Sequence, residues 1–403
     1  MKGVLSGYKV LDFGRYISGP FCAALLADMG ANVIRVEPVE GSDDRYVMPI
    51  GEDESGGGAV HYHVNRGKRS IAIDTSTSEG RQVVERLIAS ADVVVANLPP
   101  KALTKLGLDY ATLCAIRPDI ILTTVNAYGL NGPYRDEIGF DCTGQALSGA
   151  MALTGTPEQP YRAAVSYVDY STAISAALGT VSALLKRERT GQGEHVHCSL
   201  LKTALTITNS MLIEEASGAR SRVATGNRSP ISGPSDLFRT RDGWIMIQVI
   251  GNMMFRRWAQ MVDQPELVDD PRFSDDQSRG DNGKALSAIT AAWAADKTLE
   301  ACMARAQAHR LPVTPMLSPG QAFTAPAIAQ GEMLEYVSTR DNQQIPIVTT
   351  LCDFAVNGHD TPAPAPTLGA HTAAILKEAG FDAGTIDRLA ATGTISETFM
   401  TSD

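Results

Sequence analysis

The chain has 403 residues, 44% hydrophobic and 20% charged, with a formal net charge of −10. That length exceeds one average core and points to about two or three domains, while the composition is that of a globular protein rather than a disordered or fibrous one. The acid excess excludes a general binder of nucleic acid or anionic membrane, since both need a basic face.

Short apolar runs alternate with helical stretches over the first hundred residues, the pattern of a parallel sheet wrapped by helices. Strands are predicted at 8–13, 32–37, 70–74, 92–97 and 119–125, and helices at 20–29, closed by Gly30, and near 78–90. A helix over 170–189 ends in Lys186-Arg187-Glu188-Arg189 ahead of Gly191, a basic last turn followed by a glycine stop. Residues 193–198 read as the next strand, and 218–234, with Gly, Ser, Arg and Pro interleaved, as linker. A hairpin over 237–248 turns on Asp242-Gly243, and helices near 255–262, 283–295 and 299–309 complete a smaller α+β unit. Pro362 to Pro366 forms a stiff connector before helices at 372–379 and 383–391. The expected organisation is α/β. A large Rossmann-like domain begins with 1–200, 201–224 is linker, 225–325 is the small domain, and 326–403 is linker plus the remainder of the large domain. The first residues lack a signal-like apolar stretch, and no run is expected to reach the length of a membrane span, so a cytoplasmic location with no membrane partner is expected.

Six cysteines, Cys22, Cys114, Cys142, Cys198, Cys302 and Cys352, form no Cys-x-x-Cys pair and read as reduced thiols. Neither His61/His63 nor His195/His197 is completed by further ligands at a recognisable spacing, so no metal is expected. The first strand-to-helix turn, Gly14-Arg15-Tyr16-Ile17-Ser18-Gly19-Pro20, is neither a Gly-x-Gly-x-x-Gly fingerprint nor a phosphate loop, which argues against NAD and ATP. A crevice at the carboxyl ends of the strands is still the expected ligand site, and Tyr16, Ile17, Ser18, Asn97 and Leu98 fall there. Gly51 to Gly58 reads as an acidic loop unsuited to phosphate. Asn65-Arg66-Gly67-Lys68-Arg69-Ser70 either holds a phosphate-bearing ligand or is a solvated turn whose charges balance nearby acids, and Lys105 is equally open. His309, His359 and His371 lie in segments that read as surface or terminal, and no Gly-x-Ser-x-Gly elbow occurs, so an enzyme here leans on a carboxylate. Asp169 is the candidate. It is the only acid between Arg162 and Glu188, at the start of a helix of small residues, where it serves either as an N-cap or as a nucleophile held ionised by the helix dipole.

Several phrases together resemble the class III CoA-transferase family, which includes formyl-CoA transferase, carnitine CoA-transferase and α-methylacyl-CoA racemase. They are Leu11-Asp12-Phe13 through Gly19-Pro20, Leu26-Ala27-Asp28-Met29-Gly30-Ala31-Asn32-Val33-Ile34-Arg35-Val36-Glu37, and Asn65 to Ser70. Tyr128-Gly129-Leu130-Asn131-Gly132-Pro133-Tyr134 with Gly139-Phe140-Asp141, the Asp169 segment, and Leu368-Gly369-Ala370-His371-Thr372 complete the set. The resemblance implies a large domain made from both chain ends and two subunits interlocked as rings in a homodimer. It also implies transfer of CoA from an acyl-CoA to a carboxylic acid through aspartyl anhydride and aspartyl-CoA intermediates, with Asp169 as nucleophile and coenzyme A as a substrate rather than a cofactor. The implied CoA contacts are Tyr16, Ile17, Ser18, Ile73, Asn97, Leu98, Lys105 and Phe140. Pro38 and Ile138 stand where some members carry a base, so Arg35, Lys68, Arg69 or Arg135 is expected to compensate. Only Gln248-Val249-Ile250-Gly251-Asn252 stands where formyl-CoA transferase carries a shielding glycine run, which argues against an oxalate-type acceptor. A racemase of the same superfamily is the alternative enzyme, weakened because Phe140 occupies the position of its His and cannot take a proton. A CoA-binding protein without turnover is the remaining alternative.

Overall fold

The computed structural model describes residues 3–50, 57–339, 341–354 and 363–396. It divides into two compact units: Met1–Ser148, Ala164–Ile207 and Gln330–Asp403 form the first, Gly149–Ala163 and Thr208–Ala329 the second. Residues 51–56 of the acidic loop, His359 and Pro362 lie outside the described residues.

The strands in chain order are β1 (Lys9–Asp12), β2 (Asn32–Glu37), β3 (Arg69–Ile73), β4 (Val93–Ala96), β5 (Ile121–Asn126) and β6 (Glu194–Ser199). Then come β7 (Ser235–Arg239), β8 (Trp244–Gln248), β9 (Val313–Pro315), β10 (Leu334–Ser338), β11 (Gln344–Val348) and β12 (Ile395–Ser396). The first unit is built on a seven-stranded sheet ordered β12-β3-β2-β1-β4-β5-β6. Neighbours from β3 to β6 are parallel, and β12 alone runs antiparallel, pairing Ile395 with Ile73. Strand order therefore reverses between β1 and β4, the point at which open α/β sheets leave a crevice at their carboxyl ends.

Both faces of this sheet are covered, which explains apolar runs such as Val93-Val94-Val95-Ala96 in its interior strand β4. Val10, Val33, Val93 and Val95 face one layer, containing α1 (Ser18–Asp28) and α7 (Tyr167–Thr190). Leu11, Ile34, Ile71 and Val94 face the other, with α3 (Ser78–Ala89), α5 (Tyr110–Ile116) and the helices Thr372–Glu378 and Ala383–Ala391. The remaining helices of the first unit's leading segment are α2 (Ala59–Val64), α4 (Pro100–Lys105) and α6 (Asp141–Leu147).

Helix α7 reaches the sheet through Ala173, Ala176, Ala177, Thr180 and Ala183, all buried. The approach is so close that a Cβ on Gly179 would lie 2.6 Å from Val196 Cγ1, and Thr123 and Thr180 join their hydroxyls at 2.6 Å across it. Its outer side carries Ile174, Leu178 and Leu185, all exposed. Against the expectation that no run reaches membrane-span length, α7 is long and apolar enough to cross a membrane by length and composition. The apolar character comes both from the alanine face turned to the core and from Ile174, Leu178 and Leu185 on the outer side.

One sequence-based assignment is corrected here. Most of the segment read as linker, 201–224, belongs to helix α8 (Leu200–Ala216), because no Gly or Pro interrupts the chain between Gly193 and Gly218. His61 and His63 sit on α2. The second unit contains the antiparallel sheet β7-β8-β9. Its core packs Phe255 and Trp258 of α9 (Gly251–Met261) with Leu286 and Trp293 of a further helix, Gly283–Ala294.

Candidate functional site

Two cavities open at the carboxyl ends of the strands. The first, about 390 Å³, is lined by Tyr16, Ile17, Ser18, Asn97, Leu98, Phe140 and Asp169. The second, about 350 Å³, is lined by Ile73, Leu98 and Lys105, over apolar side chains of α3 and α5. Arg15 and Leu98 line both.

The loop after β1 is shaped by polar contacts on either side of the strand-order reversal. Asn97, just past the end of β4, accepts from Arg15 N–H at 2.7 Å and donates to Arg15 C=O at 2.7 Å, gripping the two peptide groups that flank one residue. Its amide also reaches Ser18 Oγ at 3.3 Å. Tyr16 is held at φ 60°, the left-handed region that non-glycine residues seldom occupy. That conformation turns its ring edge-on to Phe140, with centroids 5.8 Å apart.

Beneath this loop lies a buried ionic network. Lys68 Nζ donates to Asp12 Oδ2 at 2.7 Å, Pro20 C=O at 2.7 Å and Asn65 Oδ1 at 2.9 Å. Asp12 Oδ1 accepts from Gly14 N–H. Arg35 is completely buried, bridging Asp44 at 2.8 Å and Glu37 at 3.3 Å. Burial pulls the Lys68 ammonium down to about 8, Asp12 offsetting part of the effect. Arg35 and Lys68 therefore do not compensate for absent CoA contacts, because their charges are enclosed and paired. Arg69 is corrected likewise: it stands at the amino end of β3, away from the crevice, in a paired contact with Glu378 at 2.8 Å. Arg135 lines neither cavity, lying in a shallow groove with Lys101 and Asp136. Of the basic segment's alternatives, the balancing of its charges by nearby acids holds, Arg66 on Asp28, Lys68 on Asp12 and Arg69 on Glu378, but Arg66 and Lys68 are buried rather than solvated.

Asp169 is the third residue of α7 and is not its cap. The capping acceptor comes from 28 residues away: Asp141 Oδ1 accepts from Val168 N–H at 2.7 Å and from Asp169 N–H at 3.2 Å. Gln145 Nε2 fixes the other Asp141 oxygen at 2.5 Å. With those amides turned to Asp141, the expected stabilisation of an ionised Asp169 by the helix start is overturned. Burial, assisted by the nearby Asp141 charge, raises the Asp169 carboxyl to about 7. The result is a carboxyl in a largely apolar cavity that exchanges its proton near neutrality, and is more basic than an ordinary aspartate.

The sequence reading missed Asp141 as a cap, and missed Arg15, Asn126 and Glu137 on the first cavity wall and Arg81 on the second. Arg15 lies inside the Gly14 to Pro20 turn already singled out, and its nearness to the crevice was the available signal. One histidine of each His-x-His pair is held by the protein, His61 on Arg45 at 3.0 Å and His195 on Thr124 at 2.8 Å.

A parallel-sheet crevice with a half-buried, near-neutral carboxyl on its wall suits acyl chemistry on a carboxylate. Residues 5–372 match the model of CoA-transferase family III, and the chain belongs to that family. It is 33% identical over 377 residues to a succinyl-CoA--D-citramalate CoA-transferase of Chloroflexus aurantiacus, covering 93% of each chain. It is equally 33% identical over 387 residues to a succinate--glutarate CoA-transferase of Agrobacterium fabrum, covering 94% of this chain and 96% of that one. Among solved structures, a CaiB/BaiF family protein from Brucella suis superposes with a TM-score of 0.82 at 31% identity, covering 94% of this chain and 100% of that one. The protein is an enzyme that transfers coenzyme A.

Proposed function

We propose that the enzyme moves CoA from an acyl-CoA to a free carboxylic acid by way of Asp169. The observation that carries the reading is the Asp169 carboxyl on the wall of the 390 Å³ cavity, raised to about 7 by burial and Asp141. In the ionised form, an Asp169 oxygen attacks the acyl carbon and the C–S bond breaks, giving an aspartyl anhydride and CoA thiolate. The thiolate attacks the aspartyl carbonyl, releasing the donor acid and leaving aspartyl-CoA. The acceptor carboxylate attacks that thioester, forming a second anhydride and thiolate, and thiolate attack on the acceptor's carbonyl yields the new acyl-CoA and free Asp169. Anhydride and thioester are both activated acyl groups, so each step is nearly balanced and the cycle needs no cofactor or metal. A basic carboxylate favours the first attack, and an apolar cavity limits hydrolysis of the intermediates.

The relatives' names support a dicarboxylic donor, and succinyl-CoA is the first to be tried. Racemisation is the weaker reading because Phe140, on the same wall, offers no titratable group. An interlocked homodimer belongs to the proposal: the exposed Ile174, Leu178 and Leu185 on α7 form an apolar stripe suited to a second subunit. A Rossmann-like large domain built from both chain ends and a cytoplasmic location complete it. The test is CoA exchange between succinyl-CoA and a panel of acids followed by mass spectrometry, with hydroxylamine trapping of the aspartyl adduct. Exchange and trapping by the wild type, and neither by Asp169→Ala, are expected; normal exchange by the alanine variant refutes the role of Asp169.

A further inference from the structure

On the transfer reading above, the crevice receives a coenzyme carrying a diphosphate and a ribose 3′-phosphate in a protein of net charge −10. Buried Arg35, Arg66 and Lys68 are held by Glu37, Asp44, Asp28 and Asp12 and do not reach it. Three cations do line the crevice: Arg15, Arg81 and Lys105. None of them makes a salt bridge among the described residues.

Their placement divides the work. Arg15 is the charged residue common to both cavities, and its backbone is immobilised by Asn97 from two sides. A ligand spanning the two cavities must pass it. Arg81, on the first turn of α3, rests its guanidinium on the carbonyls of Thr75 and Ser76, at 3.3 and 2.8 Å, just past the carboxyl end of β3. Arg81 lines the 350 Å³ cavity, whose floor of Ile73, Val84, Ile88 and Leu108 suits a flat base. Lys105, at the end of α4, lines the same cavity. Of the carboxylates there, Glu37 is neutralised by Arg35 and Arg45, and Glu85 stands one turn along α3 from Arg81 on the same cavity wall.

We infer that Arg15 binds the coenzyme's diphosphate between the two cavities, and that Arg81, with Lys105, binds the ribose 3′-phosphate. These groups take the place of the bases missing at Pro38 and Ile138. A planar guanidinium grips phosphate oxygens in pairs, and both arginines are exposed, so replacing them leaves the core intact.

Calorimetric titration of the full-length enzyme with CoA, 3′-dephospho-CoA and pantetheine separates the assignments. Arg81→Gln is expected to weaken CoA roughly tenfold or more, the value of one charge-assisted hydrogen bond, while 3′-dephospho-CoA binds as to wild type. Arg15→Gln is expected to weaken CoA and 3′-dephospho-CoA alike and to leave pantetheine unchanged. Unaltered CoA affinity in both variants, or a loss in Arg81→Gln that persists with 3′-dephospho-CoA, overturns this inference alone. A wild type that binds no CoA overturns the transfer reading as well.

Discussion

Replacing Asp169 by Asn should stabilise the protein while abolishing the proposed covalent step, and the stabilisation should depend on pH with a definite sign. Folding raises this carboxyl from 3.8 to about 7, a shift of about three units, equivalent to about 4 kcal/mol in favour of the protonated form. Between those two values the folded state holds a proton that the unfolded state has released, so stability falls as pH rises through that window. From pH 5 to pH 8 the loss amounts to about 2.5 kcal/mol, because titration of the unfolded chain is nearly complete at the lower pH. Asparagine has no such proton, and the other groups titrate alike in both proteins and cancel in the difference. Urea unfolding followed by circular dichroism, at one protein concentration and at pH 5, 6, 7 and 8, gives the stability gap directly. The Asp169→Asn advantage should widen steadily toward pH 8. A constant gap across the series would show that Asp169 keeps an ordinary carboxylate affinity for protons, and the reasoning about a buried, basic nucleophile would fail.

Asp141→Asn keeps a carbonyl oxygen for the Val168 and Asp169 amides but deletes the charge, so the pH midpoint for forming the hydroxylamine-sensitive adduct should move down by about one unit. Asp141→Ala should instead cost about 1–3 kcal/mol by leaving those amides without an acceptor, measured by denaturant titration. Lys68→Met leaves Asp12 buried without its cation, and an unfolding experiment should record a loss of about 3–5 kcal/mol; a neutral result would mean that the network under the β1 loop does not support it. Gly179→Val drives a side chain into Val196 where a Cβ already approaches to 2.6 Å, and overpacking of about 1–3 kcal/mol should appear as a lower melting temperature.

The elements of the first unit were legible because both faces of its sheet are buried, which writes apolar stretches such as Val33-Ile34, Val93-Val94-Val95-Ala96 and Ile121-Leu122 into β2, β4 and β5, and because glycines such as Gly191 mark helix ends. The start of α7 was less so. A local pattern suggested Asp169 as its cap, whereas the acceptor is Asp141, brought there by tertiary packing that no short window of sequence contains. Charge was misread for the same reason. Arg35 and Lys68 look like ligands for phosphate in a linear sequence, but their fate was set by Asp12, Glu37 and Asp44, which the fold assembles from separate strands and loops. The crevice wall itself was readable from strand ends, so Tyr16, Ser18, Asn97 and Leu98 meet on one cavity.

Strand β12 pairs with β3 after the whole second unit has intervened in the chain, and Ser70 and Ala72 are further tied to Gly369 and Thr372. During synthesis, the wall that carries Ile73 thus stays unfinished until the final hundred residues leave the ribosome. The intervening unit has its own core and can fold first, whereas the nascent β3 edge must wait as an open strand. Premature termination in the last two helices should therefore yield a chain that aggregates rather than one that is merely shorter, a hazard built into any sheet stitched from both ends of its sequence.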